Sequence, residues 1–182
     1  MMGHTGDGRI RPMVEADLES VLAWRNHPSV RVWMYTQHAI SPEEHRTWFS
    51  KASTDSSRIL LIYLNHETPS GFVNLKKSYG NNAEWGFYTN PNAPKGTGKG
   101  MGIATLRHAF ENCGMHKIHG QVLAYNERSI HYHLSLGFQR EGILRGQHFD
   151  GTNYHDVHCF GLLATEWRGL QTQTNADLSE KP

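Results

Sequence analysis

Residues 95–104 read Lys-Gly-Thr-Gly-Lys-Gly-Met-Gly-Ile-Ala and lead into the amphipathic stretch Thr105-Leu106-Arg107-His108-Ala109-Phe110. Glycines at 96, 98, 100 and 102 let a backbone come close to an anion and adopt left-handed conformations. A helix starting there presents unpaired N–H groups and the positive end of its dipole. That pairing is chemistry for holding a pyrophosphate. Other phosphate loops fit poorly. A dinucleotide loop needs Gly-x-Gly-x-x-Gly, whereas Gly98, Gly100 and Gly102 give Gly-x-Gly-x-Gly. An ATP P-loop needs Gly-Lys-Ser/Thr, and Gly98-Lys99 is followed by Gly100. By itself the stretch reads equally as a flexible surface loop.

A second segment decides between these readings. Asn126, Ser129-Ile130 and Gly137-Phe138 follow in the same short chain. The two segments together resemble the GNAT acetyltransferase superfamily, over about Arg9 to Trp167. In that family a cradle Arg/Gln-x-x-Gly-x-Gly/Ala holds the pyrophosphate of acetyl-CoA. Here Thr97-Gly98-Lys99-Gly100-Met101-Gly102 occupies it, with Thr97 where Arg or Gln is usual. The resemblance implies that acetyl-CoA is the co-substrate and that no metal takes part. It implies that the backbone of Trp85–Tyr88, with Phe87 and Tyr88, pairs with the pantetheine arm, and that Asn126 contacts the same arm or an ordered water.

The N-terminal half narrows the resemblance. Trp24-Arg25-Asn26-His27-Pro28, Val32-Trp33-Met34-Tyr35 and Ile40-Ser41-Pro42-Glu43-Glu44-His45 are similar to enzymes that acetylate the 4-amino group of a UDP-linked amino sugar in pseudaminic acid biosynthesis. Tyr88-Thr89-Asn90-Pro91 and Glu141-Gly142-Ile143-Leu144-Arg145 fit the same group. The acceptor would then be a nucleotide sugar, met by Arg25, Asn26, His27, Trp33, Met34, Tyr35, His45, Trp48, Asn74 and Lys76. Arg25 can pair with phosphate. Trp33, Tyr35 and Trp48 offer flat faces to uracil or sugar, and His45 can bind phosphate or a hydroxyl. Aromatics at these spacings equally serve a core, and Arg25 a surface ion pair. The Arg-Asn segment is shared with ribosomal-protein N-acetyltransferases, so a protein N-terminus is a second acceptor. A non-catalytic acyl-CoA-binding module is a third reading.

Acyl transfer from a thioester to an amine needs the amine neutral, the carbonyl polarised, the partners aligned and the leaving thiolate protonated. The slot where the family carries its tyrosine acid is His133, with Tyr132 beside it. Successive helical residues point about 100° apart, so only one of the two faces the thiolate. Slot position selects His133, whose ordinary pKa suits an acid near neutrality. The alternatives are that Tyr132 turns in, or that proximity suffices. Glu84, Asn74 through a water, or bulk solvent could take the amine's proton.

The 182 residues suit one α/β domain at 9–168, with a flexible N-terminus at 1–8 and a polar tail at 169–182. The 18 Lys+Arg and 17 Asp+Glu leave a net charge of +1, too little to attract nucleic acid nonspecifically. Two cysteines, Cys113 and Cys159, form no disulfide framework or zinc motif. No apolar run is long enough to span a bilayer, and the first residues lack a signal core. A cytoplasmic enzyme, able to form a homodimer, fits these features. The 13 histidines show no converging ligand spacing and read as scattered.

The elements that must position these groups follow from patterning. Residues 9–13 read as a strand and 15–25 as an amphipathic helix. Ser41-Pro42-Glu43-Glu44 is a helix start: a capping serine, then proline, then glutamates at the positive end of the dipole. Residues 59–64 are apolar on both faces and read as a central strand. Strands follow at 71–75 and 83–88 around a turn at 80–82, then at 117–123 and 157–162, with a hairpin turn at 149–153. A helix over 129–136 ends at Gly137. The result is a mostly antiparallel sheet flanked by helices, the GNAT fold the resemblance implies.

Overall fold

A computed structural model describes residues 8–179. The elements run β1 (Arg9–Pro12), α1 (Leu18–Asn26), α2 (Pro28–Arg31), α3 (Pro42–Ala52), β2 (Arg58–Asn65), β3 (Thr68–Lys77) and β4 (Asn82–Thr89). Then come α4 (Thr97–Arg107), extended by a π-helical turn to Asn112, β5 (Lys117–Leu123), α5 (Glu127–Ser135), β6 (Gln139–Phe149), β7 (Tyr154–Leu163) and α6 (Ala164–Ser179). One seven-stranded sheet has the order β1-β2-β3-β4-β5-β7-β6. Every pairing is antiparallel except β4 with β5. The mixed fold read from the sequence is the one observed.

Strand alternation builds a core on each face of the sheet. Leu61, Tyr63, Val73, Leu75, Trp85, Ile118 and Phe160 pack with Met101 and Leu106 of α4 and Ile130 of α5. Leu60, Ile62, Leu64 and Phe72 point the other way, against Val21 and Trp24 of α1 and Ala52 of α3. This is why 59–64 is apolar at every position. Capping behaves as the sequence indicates at α3, where the Ser41 hydroxyl accepts from Glu44 N–H and the Glu44 carboxylate accepts from Ser41 N–H.

Three local readings change. α5 starts at Glu127, two residues before the expected start, because Asn126 is its N-cap and accepts from Ser129 N–H at 3.1 Å. The segment read as a tail from residue 169 is helical in α6 as far as Ser179, and Leu170 packs where a side chain on Gly137 would stand. Residues 180–182, and 1–7 of the expected flexible N-terminus, lie outside the described residues.

The third change concerns the glycine stretch. Only Gly96, at φ +95°, belongs to the loop, and Gly98, Gly100 and Gly102 lie inside α4. Two of these glycines are demanded by packing. A Cβ on Gly100 would sit 2.4 Å from the Tyr63 hydroxyl, and one on Gly102 would sit 2.4 Å from the Tyr132 hydroxyl and 2.7 Å from Leu136. At Gly98 the nearest atom would be 3.9 Å away. Gly102→Val should therefore cost about 2 kcal/mol or more from overpacking, lowering Tm by roughly 4–8 °C. Gly98→Ala should leave the melt unchanged or slightly raised. Thermal melts of both variants check this, and equal Tm values would overturn the packing account.

Candidate active site

The parallel pairing of β4 with β5 covers Asn82↔Lys117, Ala83↔Ile118 and Glu84↔His119, and then ends. β5 continues against β7 through Leu123↔Val157, while β4 continues against β3 through Thr89↔Gly71. Beyond Glu84, among the described residues, the β4 main chain is paired on its β3 side only. A wedge opens between the two strands. Gly120 borders it, and a Cβ there would meet the Trp85 indole nitrogen at 2.7 Å and His133 Nε2 at 3.1 Å.

On one face, the wedge meets the start of α4. The Thr97 and Gly100 N–H groups are taken by the Pro94 and Gly96 carbonyls. Helix geometry leaves those of Gly98 and Lys99 directed out of the helix end. Lys99 is exposed. Thr97 and Met101 turn inward instead: the Thr97 hydroxyl donates to Pro94 O at 2.7 Å, and Met101 is buried beneath Gly71. Both side chains are taken up by the fold.

Tyr132 and His133 divide as neighbouring helical positions must. Tyr132 points to α4 and donates its hydroxyl to Gly98 O at 2.7 Å, with its ring against Phe87. Burial raises its pKa, so it keeps its proton. His133 is 2% exposed, among Trp85, Phe87, Phe138 and Phe160. Its Nδ1 lies 2.7 Å from Ser129 O, and its Nε2 accepts the Trp85 indole N–H at 3.1 Å. Those two bonds define a neutral ring protonated on Nδ1. Burial pushes its pKa down to about 4. The placement is opposed to the expectation that His133 is the proton donor: both nitrogens are engaged, and its charged form is disfavoured near neutrality.

The opposite face holds the residues expected to meet the acceptor. Phe72, Asn74 and Lys76 of β3 stand opposite Tyr88, Gly86 and Glu84 of β4. Arg25 lies near Tyr88 and donates Nη2 to Thr36 O at 2.7 Å, while its buried Nη1 has no protein partner. Burial lowers the Arg25 pKa, a penalty that a bound anion would relieve. His45 is buried, stacked on Trp48, whose ring meets Phe72 edge-on. Tyr35 reaches across to Gln121 at 3.4 Å and to the His148 ring, and Trp33 lies against Tyr125. Burial raises the Tyr35 pKa, and the nearby, half-buried Glu84 adds to it.

Two expected substrate contacts serve the fold instead. Asn26 clamps Ile40, its amide donating to Ile40 O and its oxygen accepting from Ile40 N–H, both at 2.8 Å. His27 is the N-cap of α2, with Nδ1 on Ser29. Met34 is half-buried and Lys76 exposed. Gln121, Tyr125, His148 and His155 were not legible as site residues. They arrive through β5–β7 pairing and the β6–β7 hairpin, where His155 meets Asp150 at 2.5 Å and the Tyr125 ring edge-on. No local motif marks them. Among the described residues, no group of three or more His, Cys, Asp or Glu side chains could hold a metal, and no helix is long and apolar enough to cross a membrane.

Comparisons with known proteins bear on the family and the fold. The acetyltransferase (GNAT) domain matches residues 9–139. Acetyltransferase PseH of Campylobacter jejuni subsp. jejuni is 28% identical over 114 residues, covering 63% of this chain and 71% of that protein. The prophage-derived uncharacterized N-acetyltransferase YokL of Bacillus subtilis is 35% identical over 89 residues, covering 47% of this chain and 50% of its own. The spermidine N-acetyltransferase of Vibrio cholerae, solved with CoA and spermine, superposes with a TM-score of 0.81 at 21% identity, over 88% of this chain and 98% of that one.

The depressed His133 pKa makes a stability prediction. Unfolded, the ring takes its proton near the ordinary 6.5; folded, only near 4. The unfolded chain therefore binds more protons between those values, and stability falls as pH drops through that window. The gap corresponds to about 3 kcal/mol. Denaturant melts from pH 7.5 to 4.5 should show a steeper loss for the wild type than for His133→Gln, which cannot titrate. Parallel curves would overturn the buried, neutral assignment.

Proposed function

The chain belongs to the acetyltransferase (GNAT) family, and we propose that the amine it acetylates is the 4-amino group of a UDP-linked amino sugar, as in pseudaminic acid biosynthesis. It is an acetyl-CoA-dependent N-acetyltransferase. The likeness to PseH supports the sugar assignment, and the observation that carries it is Arg25: a half-buried side chain whose buried Nη1 has no protein partner, on the proposed acceptor face, suited to a diphosphate oxygen. A polycationic acceptor would meet repulsion there.

The residues fit acetyl-CoA. The Gly98 and Lys99 N–H groups at the α4 N-terminus suit its pyrophosphate. The unpaired β4 edge at Trp85–Tyr88 suits the amides of its pantetheine arm, as an added strand would be bound. Its thioester supplies the activated acetyl group. A main-chain N–H of that edge polarises the thioester carbonyl, a contribution of roughly 3 kcal/mol in comparable sites. The acceptor nitrogen enters from the opposite face, forming C–N as C–S breaks. Glu84 takes the proton that nitrogen loses. Tyr132 turns its hydroxyl from Gly98 O to the departing sulfur, gives it the phenolic proton and recovers one from solvent. Direct transfer in a ternary complex follows, with both substrates aligned by the same strand. Asn126 supports this arrangement as the α5 cap, and Phe87 by packing against Tyr132. A cytoplasmic setting fits a nucleotide-sugar substrate.

Two measurements test the assignment. Free-thiol release from acetyl-CoA should be fastest with a UDP-linked 4-amino-4,6-dideoxy sugar, and slower with spermidine or a peptide N-terminus. Arg25→Ala should raise KM for the nucleotide sugar about 10- to 100-fold, the range for losing a charged hydrogen bond. Faster turnover of peptide N-termini would replace the sugar with a protein acceptor. For the acid, Tyr132→Phe should lower kcat at least a hundredfold with little change in KM. If Tyr132→Phe keeps wild-type kcat, the donor lies elsewhere.

A further inference from the structure

On the acceptor face of the sheet, one position is open and one polar atom is unexplained, and they are opposite each other. Gly86 pairs with Asn74 in the β3–β4 register, so both project to the same face. A Cβ on Gly86 would meet nothing within 4 Å, and the residue is exposed. Asn74 Oδ1 is buried with no hydrogen-bond partner, between the Leu60 and Gly86 positions of the neighbouring strands. A buried acceptor left unpaired is costly, and such an atom in a native fold calls for a donor from outside the chain.

We infer that the notch over Gly86 is the port for the acceptor amine, and that Asn74 is a positioning residue whose Oδ1 receives one of the amine's N–H groups. This rests on the acetyltransferase reading but not on which amine is acetylated. The notch lies on β4 itself, within one strand spacing, about 4.8 Å, of the unpaired edge beyond Glu84. Glu84 and Tyr88 flank it on β4, with Lys76 beside Glu84 on β3. Arg25 of α1 approaches from the Tyr88 side and Tyr35 from the Glu84 side. His119 of β5 stands beside Glu84, and His148 and Cys159 lie around Tyr35, so these too are titratable groups on this face.

The amide is the right chemistry for its place. A nitrogen attacks only when neutral, with its lone pair turned to the carbonyl carbon. A carboxylate at 74 would hold the ammonium form and raise the amine's pKa. A neutral amide oxygen accepts an N–H and orients the lone pair with a smaller bias toward the charged form. Glycine at 86 leaves the space through which the nitrogen reaches the edge. Any side chain there would fill it, although the backbone itself would tolerate one.

The test uses the full chain, acetyl-CoA, and a panel of a UDP-linked 4-amino sugar, spermidine and a peptide N-terminus, with CoA affinity read by calorimetry. Gly86→Val should lower kcat/KM for the preferred amine at least tenfold, with Tm retained and CoA affinity within twofold. Asn74→Leu should raise KM for that amine about tenfold. Asn74→Asp should keep a low KM but move the acidic limb of the kcat profile to higher pH, a shift that mere loss of packing would not produce. Values of kcat/KM within twofold of wild type for both Gly86→Val and Asn74→Leu would overturn the port. So would losses that track CoA affinity or Tm, or an unshifted Asn74→Asp profile. A preferred amine other than the sugar, still lost in both variants, would overturn the acceptor proposed above and leave the port standing. Wild-type protein that acetylates no amine of the panel would overturn both.

Discussion

Backbone N–H and C=O groups inside a protein are stable only when paired, so a strand edge left open in the middle of a sheet carries a standing free-energy penalty. β4 carries such an edge beyond Glu84, where its pairing with β5 ends. The surrounding residues maintain the separation. The Trp85 indole reaches over the bare backbone of Gly120 and is held by His133, which is itself tied to Ser129 O. These contacts fix α5 against β4, and with it the direction of Tyr132. The open edge, the phase of one helix and the position of one hydroxyl are thus a single structural fact.

Much of this was legible from residue order, and the part that was not has a definite physical cause. Apolar residues at every position of 59–64 implied a strand covered on both faces, and two separate cores cover it. The glycines located the start of α4, but the sequence could not say which of them serve packing. That depends on Tyr63 and Tyr132, remote in the chain and meeting α4 only in three dimensions. Motif spacing placed His133 in the acid's slot, and the structure puts that ring inside, neutral against aromatics, while Tyr132 turns to α4. Asn26 and His27 belong to a segment that resembles substrate-binding enzymes, and their own side chains bind the backbone of the loop they flank.

The face proposed for the acceptor was the least legible. Its floor is set by β3–β4 register, and its far wall by a hairpin more than a hundred residues later in the chain than Trp33 and Tyr35. Pattern analysis reads neighbours along the chain, whereas Tyr35 meets Gln121 and His148 only because β5, β7 and β6 stack in that order. The histidines that looked scattered are not all so, since His148 and His155 come together at this wall. The same topology explains why the polar C-terminal segment starts as a helix: α6 follows β7 directly, and Leu170 covers Gly137 at the end of α5.

Strand alternation has a further consequence for heredity. On β3 and β4, Val73, Leu75, Trp85 and Phe87 face the α4–α5 side, while Asn74, Lys76, Glu84, Gly86 and Tyr88 face the other. Substitutions at the second set point away from the first set's packing, so the two halves of the proposed two-substrate site can change separately. A strand of eight residues thereby keeps two independent ledgers of mutation. Lineages sharing this sheet can part company over the nucleophile they accept without renegotiating the acyl donor.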